Sequence, residues 1–171
     1  MTRNLAAICF AAKMAVVFAT QSMAQSIPAP GGAVILTISG QIEVTNVDET
    51  LQFDRETFAN IDQSQITTTT VWTEGNHTFQ GVSLLTLTEL LEVSDGKLLA
   101  TAINDYTVEI PVSDAVSDGP IIAYKMDGDP MSVRDKGPLW VVYPYDSSPD
   151  YQTAVIRARS IWQLDRIEVV K

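Results

Sequence analysis

The sequence predicts an α+β fold: a single, mostly-β domain carrying two or three short helices. Three observations carry this. The β-forming runs are short and separated by turn dipeptides such as Asp95-Gly96 and Asp127-Gly128. One apolar segment, 84–91, stands directly behind a strong helix-capping residue, Ser83, and is the clearest helix in the chain. No repeat, low-complexity tract or second linker divides the chain beyond residue 32.

In chain order, 25–32 ends in Ser-Ile-Pro-Ala-Pro-Gly-Gly and reads as a linker into a domain spanning 33–171. The run 33–39 and, across Gly40, 41–44 read as a hairpin-like opening pair. Asp54 caps a short helix that carries Phe58 and Ile61. Residues 66–72 form a Thr-rich β-forming run. After the helix at 84–91, strands 98–103 and 106–111 flank Asn104-Asp105, a hairpin connection without the usual glycine. Strands 121–126 and 131–133 flank Asp127-Gly128. Runs 139–143 and 161–170 close the domain, joined by a Pro/Asp/Ser loop at 143–151.

The first 24 residues read as a secretory signal peptide. Arg3 supplies a basic start, 5–20 is mostly apolar, and Ser22-Met23-Ala24 offers small residues for cleavage after Ala24. Lys13 interrupts the run and argues against a membrane anchor, and Ile8 before Cys9 is wrong for a lipoprotein. The expected product is periplasmic. It lacks cysteine and keeps nine basic residues against all 21 acidic ones. That balance argues against nucleic acid and against anionic membrane surfaces. Residues 125–171 hold seven of the nine cations, which places any anion-binding group there.

Standard catalytic motifs are missing: no G-x-S-x-G, P-loop, G-x-G-x-x-G or H-E-x-x-H occurs. His77, the one histidine, lies in a turn-like stretch and reads as a surface residue. On residues alone, catalysis is not demonstrated.

A succession of short motifs is more specific than any one of them. It runs Trp72-Thr73-x-Gly75, Phe79-x-Gly81-Val82-x-Leu84, Asn104-Asp105-Tyr106 with Ile110-Pro111, and Tyr124-x-Met126-Asp127-Gly128-x-Pro130-Met131. Arg134-Asp135-Lys136-Gly137-Pro138-Leu139-Trp140 and Arg159-Ser160-Ile161-Trp162 come next. In this order the motifs resemble the molybdopterin-binding domain of the sulfite oxidase family, over about 33–171, and most of all its small, stand-alone secreted members. The resemblance implies that fold, with a pterin or molybdopterin as cofactor. It also marks departures. Where the enzymes place a molybdenum-ligating cysteine, this chain has Thr67-Thr68-Thr69-Thr70-Val71-Trp72. Threonine does not reproduce a soft thiolate, so no protein-ligated molybdenum is expected. Trp140 stands for the enzymes' arginine, and Asp105 for a glycine.

A flat heteroaromatic needs a stacking face and a few convergent polar groups. Trp72, Tyr106 and Tyr143 are the candidate faces, with Tyr145 and Trp162 beside them. Asn104, Asp105 and Gln163 suit an amide-amidine edge. Arg134, Lys136, Gly137 and Arg159, with Arg157, suit an anionic tail. Bland roles stand beside these: Trp140 and Trp162 as core, Asn104-Asp105 as a plain turn, 134–136 as a solvated loop. Only for the loop 134–137 is the binding role favoured over the bland one, because Gly137-Pro138 after two basic residues lets a backbone approach an anion closely. The leading expectation is a pterin-binding, sensing module that reports to the periplasmic domain of a membrane signalling protein. The alternative is a molybdopterin-dependent oxidoreductase or its subunit.

Overall fold

The computed structural model describes residues 27–171. The predicted signal peptide lies outside the described residues. Ten strands form two five-stranded sheets. The first takes β1 (Val34–Gly40), β2 (Leu51–Asp54), β5 (Lys97–Ala102), β6 (Thr107–Pro111) and β10 (Leu164–Val170), in the order β2-β1-β10-β5-β6. The second takes β3 (Gln63–Thr70), β4 (Thr73–Ser83), β7 (Ile121–Met126) and the two-residue β8 (Asp129–Pro130), with β9 (Trp140–Val142) also on β7. Three short helices join them: α1 (Arg55–Ala59), α2 (Leu84–Leu90) and α3 (Ala154–Arg159). The mostly-β domain with short helices expected from the sequence is what folds. Among the described residues no helix is long and apolar enough to cross a membrane.

Alternation sets the inward faces. β5 buries Leu98, Ala100 and Ala102, and β10 buries Leu164, Ile167 and Val169, while their neighbours face outward. β7 buries Ile121–Tyr124 on both faces, as befits a central strand. Side chains from both sheets meet in one apolar core that includes Leu36, Phe53, Phe79, Ile122 and Trp140.

Local chemistry explains the helix starts. Asp54 accepts from the Thr57 N–H while the Thr57 hydroxyl accepts from the Asp54 N–H, a reciprocal cap, and Phe58 turns inward behind it. Asp54 also accepts from the N–H groups of Gly31 and Gly32, which stitches the Pro/Gly segment to the domain. The Thr57 N–H, with the other donors, holds its carboxyl down at about 2. Ser83 caps α2 by accepting from the Thr86 N–H.

Three expectations change. β1 pairs with β2, not with 41–44, and on its other side runs parallel to β10. The stretch 73–83, read partly as a turn, is the longest strand; it is the inner partner of β3 and β7, and its polar side chains concealed it. The Asp127-Gly128 hairpin closes as expected, but its return arm is 129–130, and 133–135 coils into a single 3-10 turn.

Candidate functional site

The chain crosses between sheets just before β10. Val141 donates its N–H to the Ile161 carbonyl, Leu164 donates to that of Leu139, and Trp140 bridges to Trp162. This crossover brings three tryptophans together. Trp72, at the β3–β4 turn, meets Trp162 edge-to-face at 5.5 Å, Trp140 at 5.9 Å and Tyr145 at 6.2 Å between centroids. Trp140 is fully buried, whereas Trp72 is half-buried and Trp162 exposed, so the cluster runs from core to surface.

A cleft opens on each side of Trp72. One lobe, about 300 Å³, is lined by Trp72, Trp162, Tyr106, Asn104, Gln163 and Arg157, with Ser160 among its deeper residues. The other, about 210 Å³, is lined by Thr69, Thr70, Val71, Trp72, Tyr145 and Arg157, with Asp146 and Gln152 at its edge. Trp72 and Arg157 belong to both. Exposed on α3, the Arg157 side chain has no carboxylate partner among the described residues.

Below the aromatics the polar groups are paired. The Tyr145 hydroxyl donates to Ser160 Oγ at 2.6 Å, and Ser160 donates to the Ile156 carbonyl at 2.8 Å. Burial pushes the Tyr145 phenol up to about 12. The threonine run holds the wall: the Thr69 N–H and hydroxyl both donate to the Asp146 carboxylate, and Thr68 Oγ1 accepts from the Asp146 N–H. The Thr69 amide N–H foremost keeps the Asp146 carboxyl below its usual range.

The predicted site residues separate into two groups. Trp72, Asn104 and Tyr106 line the cleft, joined by Gln163, Arg157 and Trp162. The others are engaged elsewhere. Tyr143 is fully buried, its hydroxyl donating to Asp114 at 2.7 Å, and neither ring face is open to a ligand. Burial pushes its pKa up. Arg159 Nη1 donates to both oxygens of the same Asp114, at 2.9 and 3.1 Å. Asp105 is the left-handed residue of the β5–β6 turn and accepts from Arg166 at 2.7 Å. Arg134 and Lys136 line neither lobe. The Lys136 ammonium lies 5.6 Å from the Trp140 ring centre, and its carbonyl accepts from the Gln163 N–H. Gly137 is buried, its N–H donating to Ser132 and its Cα against the Met131 carbonyl, so it presents no open backbone to an anion. Sequence reasoning missed Ser160 and the Thr69–Asp146 clamp, for which no motif exists.

The fold and cleft define a class: a small β-rich domain with an aromatic-walled cleft edged by amide and guanidinium side chains. The chain belongs to the oxidoreductase molybdopterin binding domain family, whose model matches residues 39–170. No curated protein matches it. The family implies a molybdenum-bearing pterin, and this donor set fits only part of it. Trp72 and paired threonines occupy the stretch where a thiolate would be needed, and residues 27–171 contain no cysteine. Protein ligation of the metal does not fit this donor set.

Proposed function

We propose that this protein is a periplasmic pterin-binding domain that works without protein-ligated molybdenum and reports its occupancy to a partner protein. The observation that carries this is the cleft around Trp72: an aromatic wall, an amide at each of Asn104 and Gln163, and a free guanidinium at Arg157. Stacking by Trp72, Tyr106 and Trp162 holds a flat ring. Amide groups read its donor/acceptor edge, and Arg157 meets a carbonyl or anionic substituent. The signal peptide at 1–24 accounts for export to the periplasm. A molybdopterin oxidoreductase, or a subunit of one, is the second reading, favoured by the family match.

Titration with a panel of pterins, followed by quenching of tryptophan fluorescence, tests the reading. Binding is expected in the wild type. Arg157→Ala should weaken it roughly tenfold or more, since a charged hydrogen bond contributes about 1.5–3 kcal/mol, and should leave the melting temperature unchanged. No quenching by any pterin would overturn the proposal. About one molybdenum atom per chain in desalted periplasmic protein would replace it with the oxidoreductase reading.

A further inference from the structure

The cleft mouth is apolar in a way that ligand binding alone does not require. Five of the eight large hydrophobic side chains exposed on the described residues gather here: Val71, Ile103, Tyr106, Val133 and Trp162, between 38% and 62% exposed. Their proximity follows from specific contacts. Tyr106 and Trp162 line one lobe and Val71 the other. Ile103 donates its N–H to the Gln163 carbonyl at 2.9 Å, and Gln163 Nε2 donates to the Val133 carbonyl at 2.7 Å. Four separate loops therefore bring exposed apolar side chains to the borders of the two lobes beside Trp72. Exposed apolar side chains gathered in one region mark an interaction site, and Trp, Tyr and Arg are the side chains that dominate such interfaces.

Cations without an ion-pair partner collect around the rim of an otherwise acidic protein. Arg134, Lys136 and Arg157 have no carboxylate partner among the described residues. Of the carboxylates nearby, Asp105 and Asp165 share Arg166 in ion pairs, while Asp146 and Asp135 are held by the neutral donors of Thr69 and Ser132 and keep their charge. A protein with nine basic and 21 acidic residues over 27–171 thus keeps a free-cation edge here.

We infer that this rim is a docking surface for a second protein whose contact face is apolar and edged with carboxylates. A second copy of the chain docked symmetrically would bring the same three unpaired cations from both protomers into one interface. An anionic bilayer would meet the protein's net negative charge. An acidic protein partner pairs with Arg134 and Lys136, which lie outside the cleft, while covering Val71, Val133 and Trp162. Because the cleft opens through this rim, the partner closes over whatever ligand sits there. The inference rests on the reporting half of the proposed function, not on the identity of the ligand.

The test places a photo-crosslinking amino acid at Val71 or Val133 of the full chain in its native cells, with Val116, an exposed valine elsewhere, as control. Adducts are expected from the two rim positions and not from Val116, and Arg134→Glu should reduce their yield about tenfold. Mass spectrometry of the adduct should place Asp or Glu beside apolar residues in the linked peptide. No adduct, equal yield from Val116, a chain linked to its own copy, or a basic linked peptide would each overturn the inference. Sedimentation of the purified protein with phosphatidylglycerol–phosphatidylethanolamine vesicles would also overturn it, assigning the rim to lipid. The pterin titration reads the cleft separately, so failure of ligand binding and failure of docking are distinguishable.

Discussion

Replacing Ser160 with alanine tests whether the floor of the cleft is held by one hydrogen-bonded pair. Ser160 is 1% exposed and Tyr145 is 6% exposed, and Ser160 Oγ is the acceptor of the buried Tyr145 hydroxyl. Ser160→Ala leaves that hydroxyl without a partner, at about 1–3 kcal/mol, and removes the bond to the Ile156 carbonyl, worth about 0.5–1.5 kcal/mol net. Tyr145→Phe removes the donor while Ser160 keeps its bond to Ile156, so it should cost only about 0.5–1.5 kcal/mol. Adding Tyr145→Phe to Ser160→Ala then removes the orphaned group and should restore part of the loss. Each kcal/mol is worth about 2–4 °C for a chain of this size. Thermal melts of the four proteins give the full cycle. Ser160→Ala no worse than Tyr145→Phe, or strictly additive losses, would refute the reasoning.

The cap at Asp54 has a pH signature. Its folded pKa, about 2, lies below the unfolded carboxyl value, so its stabilisation is complete above about pH 4 and is lost as pH falls through about 2. Asp54→Asn should lower the melting temperature at pH 6 and flatten its dependence across that acid window. His77 has the opposite sign. Its ring nitrogens face the Asp127 carboxylate at 2.6 Å and the Glu74 carbonyl at 2.9 Å, and the hydrogen bond to Asp127 foremost raises its pKa. That contact contributes fully below about pH 6.5 and fades as pH rises through the raised value, which an NMR titration of the imidazole should show and His77→Gln should abolish from the melting profile. Gly81→Ala should destabilise the second sheet by about 1–3 kcal/mol, read by denaturant unfolding, because its Cβ would fall on the Ile122 carbonyl between β4 and β7.

The sequence by itself determined the features that depend on neighbours in the chain. Asp54 and Ser83 cap their helices because the N–H groups they satisfy lie three residues on, and Asp127-Gly128 turns because both residues accept a positive φ. The alternation in β5 and the aromatic at Trp72 were legible for the same local reason. Order of motifs carried the family. Tertiary structure alone decided which of two similar side chains does what. Arg157 and Arg159 sit two residues apart on α3, and so about 200° apart around it; one reaches the cleft, while the other meets Asp114, 45 residues away in the chain. Tyr143 was withdrawn from the site by that same distant carboxylate, whereas Tyr145 reached the cleft wall. The parallel pairing of β1 with β10 joins the two ends of the domain, and no local pattern encodes a contact whose closure entropy is met only when the whole core assembles.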